Sequence, residues 1–534
     1  MSEKTHEGLA TGDGAEKASI SHRSDHSAPT KQDTTAGDVN PWAAKFEAQP
    51  EEWREETNKK LIRKMDLHLL PFLILMYLLN FLDRANLAQA RQGSLEKDLG
   101  MTSTDFNLAT SIFFVSYLLM QLPSNLLLTR VRPSIYLTSA MALWGAVSAC
   151  NAATKKFSDL IAVRFLLGLV EAPFFPGAVF LMSSWYTRAE LTRRMSYFYS
   201  GNALANMFGG IIGAAVLGNL DGAQGIAGWR WLFIIEGVIT IGVAIIGAFV
   251  LPDYPSTTRW LSEEERAFAT WRLLRDINEP DAAQSLWQGL KMALADYRLY
   301  LFVLLQHLSL LSQTFQYFFP SIVSTLGYGQ IQTLWLTVPV WFGTFLVSIA
   351  VTWTSAKYAD RSLHIFGLML FAAVGNAIAT GSTVLGARFF AMFLMPMGAV
   401  PACKNFSWTR TSEKNNWLTH VDQILLAWIA NSFPRPTVKR SASLAIANMI
   451  GNTASIYGSY MYPASAAPQY IPGGSANSVI CLLVGVLALI LRYLHKWENK
   501  KLEQAEAEDA ANGEAGTTVD ASVDRRATGF RYIY

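Results

Sequence analysis

Apolar runs long enough to cross a bilayer follow one another along most of this chain, at residues 67–87, 106–128, 134–153, 158–183, 195–218, 230–251, 299–325, 332–354, 363–382, 385–402, 440–463 and 474–494. A hydrocarbon core about 30 Å thick is spanned by a helix of about 20 apolar residues. No water is present there to satisfy an irregular backbone, so each run has one stable form, a helix. The series is interrupted once, at 252–298, by Pro252, Pro255 and a charged run from Leu261 to Asp276. Within that break Ser262 and Glu265 make a Ser-x-x-Glu capping box, which starts a short surface helix. The pattern sets the fold class as an all-α membrane protein with twelve transmembrane helices in two six-helix halves. A composition of 51% hydrophobic and 16% charged residues over 534 excludes a soluble core.

The ends and loops give the expected organisation. Residues 1–50 are rich in Ser, Thr, Gly, Lys and Asp and read as a disordered cytoplasmic tail. Residues 51–66 set Trp53, Leu61, Ile62 and Met65 among charges and read as an amphipathic cytoplasmic helix, held at the membrane by Lys59, Lys60, Arg63 and Lys64. The N-terminal half follows at 67–251, a cytoplasmic linker at 252–298, the C-terminal half at 299–494 and a second cytoplasmic tail at 495–534. An even number of spans puts both termini on one side. The basic loops around Arg130–Arg132, Arg193–Arg194, Lys357–Arg361 and Lys439–Arg440 make that side the cytoplasm. A net charge of +3 is too small to argue for nucleic acid, and Cys150, Cys403 and Cys481 lack metal or disulfide spacing.

Charges inside the apolar runs point to function. Arg164, Gly168 and Glu171 in span 4 are spaced i, i+4, i+7 and share one stripe, which must face protein or water rather than lipid. An arginine and a carboxylate so placed read as part of an ion or substrate pathway; the alternative is a buried ion pair that locks two helices together. In span 1, Asp83 and Arg84 point about 100° apart, Arg84 in line with Tyr77 and Asn80, so one faces the interior cavity and the other a neighbouring helix. Their alternative is a helix-end pair facing headgroups.

Polar stripes on other spans are candidates for substrate contacts. Span 7 carries Gln306, Ser309, Gln313 and Gln316 with Tyr317 beside them, and span 11 carries Asn448, Asn452, Ser455 and Ser459. Both are read either as substrate-binding or as interhelical glue. Asn202 and Asn206 above Gly209 and Gly213 in span 5 are read as packing, as is His307. No glycine-rich phosphate loop follows a strand and no haem or metal spacing occurs, so no cofactor is expected and the driving energy is an ion gradient or the substrate's own.

Two six-helix halves, a long central loop and Asp360-Arg361 between spans 8 and 9 resemble the major facilitator superfamily. Asn80-Phe81-Leu82-Asp83-Arg84-Ala85-Asn86, the Arg164 to Ala172 stretch, Asp253-Tyr254-Pro255 and Trp260 to Arg266 resemble its anion:cation symporter family, in the fungal allantoate permease branch that includes nicotinate and other vitamin permeases. The likeness runs from about Trp53 to Glu503. It implies a monomeric symporter in a fungal plasma membrane that imports a small organic anion such as nicotinate, allantoate or a related carboxylate vitamin. Asp83 and Glu171 would then bind the proton, Arg84 and Arg164 would govern them or hold the anion, and Tyr77, Asn80, Gln313, Gln316, Tyr317, Asn448 and Asn452 would line the substrate site. Asp360 and Arg361 would form a gating loop that latches a closed state. A facilitator or exporter of an acidic metabolite, and a nutrient receptor that binds without transport, are the rival readings.

Span 10 contains an interruption. Residues 403–422 are polar, and apolar sequence returns at Gln423 to Ala430, too short to span alone. Cys403-Lys404, Leu418-Thr419 and Val421-Asp422 can be encoded by a splice donor, branch point and acceptor in that order, so the segment reads as a retained intron whose removal keeps the frame and joins 388–402 to 423–430. A genuine cytoplasmic loop is the alternative, and sequencing of the mature transcript decides between them.

Overall fold

The computed structural model describes residues 41–128, 131–277, 286–358, 361–403, 425, 428–433 and 437–511, and every regular element among them is helical. Seven helices among these residues are long and apolar enough to cross a membrane, including Glu51–Ala90, Phe157–Ser183, Gly228–Val250 and Ile471–Gln504. The remaining expected spans also fall on helix, at Ser103–Leu128, Pro133–Cys150, Tyr297–Ser312, Leu385–Cys403 and Thr437–Asn452. The interruption at 403–422 lies almost entirely outside the described residues. Beyond it Leu425, Trp428, Ile429 and Phe433 are buried in the C-terminal half.

Three expected boundaries differ from the observed ones, the first in the stretch 1–50 read as a disordered tail, where Pro41–Glu47 is a helix that buries Phe46. The amphipathic segment 51–66 is not a separate helix: Glu51–Ala90 is continuous, because nothing near Asp66 and Leu67 breaks a helix, and Pro71 removes one backbone donor without ending it. At the far end span 12 runs on to Ala511, through residues 495–511 that the expected tail had claimed, since that stretch is made of good helix formers without Gly or Pro. Spans 4, 7 and 11, by contrast, are each broken. Span 4 stops at Glu171 and resumes at Phe174, where Pro173 and Pro176 each withhold an N–H. Span 7 passes from Tyr297–Ser312 through a 3₁₀ turn, Thr314–Phe318, into Phe319–Ser324, and span 11 breaks at Thr453.

Close helix contacts fix the positions of the spans that carry charge. A Cβ on Gly168 would lie 2.0 Å from Ser116 Oγ and 2.3 Å from the Phe113 carbonyl oxygen, so this residue lets span 4 lie directly on span 2. Spans 3 and 6 meet in the same way at Gly237, where a Cβ would lie 2.7 Å from the Gly145 carbonyl oxygen. In span 5 the glycine that meets the other half is Gly210, whose Cβ would fall 2.5 Å from Thr337 Oγ1 of span 8; Gly213 packs on Gln89 of span 1, and Gly209 makes only ordinary contacts.

The polar end of the bundle is held by ion pairs. The capping box in the linker is present, with Ser262 N–H donating to Glu265 Oε2 (2.8 Å) and Glu265 N–H to Ser262 Oγ (3.2 Å). Glu265 also accepts from Lys64 (2.8 Å), which ties linker to span 1. In the C-terminal half Asp296 caps span 7 and accepts from Arg298 (2.7 Å) and Lys439 (2.8 Å), and Arg298 reaches Glu498 on the extension of span 12 (2.9 Å). Burial by itself would raise the Asp296 carboxyl, but Arg298 and Lys439 outweigh it and hold the group well below the usual carboxylate range.

Candidate functional site

The charged residues of spans 1 and 4 converge. Arg84 turns to the interior and its Nε donates to Glu171 Oε1, a pair in which Glu171 is fully buried. Three aromatic rings box the Arg84 guanidinium, with centroids at 5.1 Å (Phe81), 5.3 Å (Phe113) and 4.9 Å (Tyr117), and such faces favour a cation. Asn80, one turn before Arg84, sits beside Glu171 as well. Asp83 points the other way and accepts from Ser148 Oγ of span 3 at 2.7 Å. Span 4 ends right after Glu171, so the carboxyl stands at a helix break rather than within a rigid rod.

Arg164 has a different environment. It is only 3% exposed, yet its Nε and Nη2 donate to no acceptor among the described residues. Its guanidinium lies 5.6 Å from the Phe233 ring centroid, and Asp83 and Glu171 are the charges that act on it. Arg84 and Arg164 both line one cavity, walled by Leu87, Ala88, Phe106, Ala109, Thr110, Phe113, Phe114 and, from the C-terminal half, Tyr317. A buried guanidinium with unused donors in a cavity can take a carboxylate in two parallel hydrogen bonds. An ionised carboxylate holds a guanidinium more strongly than a neutral acid does, so the strength of the Arg84–Glu171 pair depends on the protonation of Glu171.

Other candidate residues lie elsewhere. Tyr77 is buried in an aromatic group with Phe198 (4.2 Å), Phe81 (4.7 Å) and Tyr199 (5.9 Å), away from the cavity wall. Gln313 is buried and donates to Ser309 O (3.3 Å), and Gln316 lies at the 3₁₀ turn beside Tyr317. Asn452 donates to Asn448 O (2.9 Å) along its own helix, and neither residue lines the cavity. In span 5 Asn206 likewise donates to Asn202 Oδ1 (2.9 Å). His307 bonds Ile450 O (3.0 Å) and the Tyr457 hydroxyl, joining span 7 to span 11. Asp360 lies outside the described residues; Arg361 opens span 9 and is buried.

The sequence reading passed over Glu236 in span 6. It is 2% exposed and accepts from the Asn86 amide. Its signal was available, a lone carboxyl in an apolar run, the same one that marked Glu171.

Residues 73–411 match the family model described as Major Facilitator Superfamily. The chain belongs to that superfamily. A superfamily relative, "MFS-type transporter cnsO" of Penicillium expansum, is 33% identical over 472 residues, covering 85% of this chain and 87% of the relative. "Major facilitator-type transporter hxnP" of Emericella nidulans is 31% identical over 477 residues, 86% of this chain and 90% of that one. A bacterial protein of Agrobacterium vitis named "Putative tartrate transporter" is 34% identical over 344 residues, 64% of this chain and 77% of the relative. The superfamily fold is seen again in the crystal structure of a bacterial homologue of the human lysosomal transporter Spinster, in an inward-facing and occupied conformation, with a TM-score of 0.54 at 14% identity over 79% of this chain and 95% of the other. As a member of this superfamily the protein is a multi-pass membrane transporter of small molecules and not an enzyme.

Proposed function

We propose that the protein is a proton-coupled symporter that imports a small organic anion, such as nicotinate, allantoate or a related carboxylate, across a fungal plasma membrane with both termini in the cytoplasm. The observation that carries this reading is Arg164: a buried cation lining a cavity with two donor nitrogens that no group among the described residues accepts from. Leaving such a group unpaired is costly, and an anionic substrate supplies the missing acceptor. Arg84 lines the same cavity, held by Glu171, so protonation of Glu171 frees a second guanidinium toward it. The Agrobacterium relative's name, "Putative tartrate transporter", fits the same chemistry, tartrate being a dicarboxylate. Asp83 and Glu171 are the proton-binding groups of this scheme. Asn80 and Tyr317 are placed to support it, Asn80 beside Glu171 and Tyr317 on the cavity wall.

The test is uptake of labelled carboxylates by cells at two external pH values. Acid-stimulated uptake is expected, and Glu171→Gln, isosteric but unable to cycle a proton, should lose the stimulation while still reaching the cell surface. Efflux without pH dependence, or binding without flux, would replace symport with the exporter or receptor reading.

A further inference from the structure

Glu236 takes no part in the scheme above. It lies in span 6, nearly fully buried, and is absent from the cavity wall. Asn86 holds one carboxyl oxygen, and Oε1 meets no partner among the described residues. From span 1 the charged group facing it is Asp83, another carboxyl. Span 3, packed against span 6 at Gly145 and Gly237, brings Ser148 and Asn151, which are uncharged. Span 5 carries its charges, Arg188, Glu190, Arg193 and Arg194, in its first two turns. On span 6 itself Arg230 donates to the Ala152 carbonyl oxygen at the helix start. From span 4, Arg164 rests over Phe233, and the charges acting on it are Asp83 and Glu171 rather than Glu236.

Among the described residues, the charges of the cluster that spans 1, 4 and 6 bring together are therefore three carboxyls, Asp83, Glu171 and Glu236, against two guanidiniums, Arg84 and Arg164, while the buried Arg194 of span 5 is already paired with Asp66. A net charge sealed in low dielectric is expensive, so the set is balanced when one carboxyl is neutral. Glu171 has Arg84, and Asp83 has Ser148 and the field of Arg164; Glu236 has an amide and a like-charged neighbour. We propose that Glu236 keeps a resident proton, a neutral acid that fixes span 1 to span 6 through Asn86 and leaves the cluster electrically balanced before substrate arrives. The Asn86 amide oxygen, which has no partner among the described residues, can accept the Glu236 O–H. Glu236 is a positioning residue, and it rests on the symport reading in one consequence: each negative charge brought in on the substrate is matched by one proton, carried on Glu171 or Asp83.

The experiment uses the full-length protein reconstituted in liposomes. Its infrared spectrum at about pH 8, where exposed carboxyls are ionised, should retain a protonated-carboxyl band that Glu236→Gln removes. The same variant should transport within about twofold of the parent, with an unmoved pH profile and an unchanged number of protons per anion read by a trapped pH dye. A spectrum unaffected by the substitution, or a proton count lower by one, overturns the proposal, since Glu236 would then be ionised or would cycle. Should Glu236→Gln fail to fold, Glu236→Asp serves instead: the band must shift if it belongs to this residue. Absence of pH-stimulated uptake in the unmodified protein removes the symport reading and leaves the band to decide the state of Glu236.

Discussion

At residue 168 the chain has no room for even one methyl group. A Cβ there would overlap Ser116 Oγ and the Phe113 carbonyl oxygen, and the latter is backbone that cannot rotate away. Gly168→Ala must therefore push span 4 off span 2, and overpacking of this kind costs about 1–3 kcal/mol. A fall in the unfolding temperature of the purified protein is expected; an unchanged transition would show that the two helices do not pack so closely. The shift also bears on the site, because Gly168 lies one turn before Glu171 and on the other helix Phe113 and Tyr117 form the box around Arg84. The charges themselves were legible in the sequence, since an ion in an apolar run is conspicuous. Which charge meets which was not: helical spacing put Arg164 and Glu171 on one stripe, yet Glu171 pairs with Arg84 of another span. Tyr77 and Asn448 show the same limit, as periodicity selects a face of a helix without naming the neighbour that face meets.

Whole elements were read well where hydropathy alone decides and less well where a few residues set the ends. The apolar runs fall on helices, whereas the breaks in spans 4, 7 and 11 depend on local proline and turn geometry that a window of hydropathy smooths over. The ion network at the start of span 7 was invisible, because Lys439 and Glu498 are far in sequence from the Asp296–Arg298 pair that they join. It carries a pH dependence of definite sign. The Asp296 carboxyl is depressed in the folded state, burial notwithstanding, by Arg298 and Lys439, so its contribution is complete above its unfolded value of about 3.9 and is lost as pH falls through the lower folded value. Asp296→Asn should therefore lower the unfolding temperature by a constant amount between about pH 7 and 5, with the gap from the parent closing only below about pH 4. A gap that instead closed between pH 7 and 5 would mean that the network does not depress this carboxyl.

For the molecule as a whole, transport requires that the two halves part at whichever end is closed. The structure joins them at the end where span 1 finishes: Gln92 Nε2 donates to Ser321 Oγ (3.2 Å), Ser111 Oγ to the Ile456 carbonyl oxygen (2.6 Å), and the Phe106 ring meets Phe318 edge-on at 5.7 Å. Phe106 is also part of the cavity wall, so the aromatic pair stands between the cavity and that end, and Tyr462 stacks on Phe318 at 5.9 Å. Phe318 itself does not line the cavity, which makes it a clean place to weaken closure without touching the arginines. An aromatic pair contributes about 0.5–1.5 kcal/mol beyond its buried area, and tenfold in population corresponds to about 1.4 kcal/mol. Phe318→Ala should thus raise the share of molecules open at this end about two- to tenfold, given a mostly closed starting state. The readout is a single cysteine at Thr110, a buried cavity residue, in a background with Cys150, Cys403 and Cys481 replaced by serine. In the proposed orientation, with both termini cytoplasmic, this end faces outward, so a membrane-impermeant maleimide added to intact cells should label Thr110→Cys faster in the Phe318→Ala background by that factor. Equal labelling rates would mean that the aromatic pair does not hold the halves together, and that closure at this end rests on the polar contacts at Gln92 and Ser111.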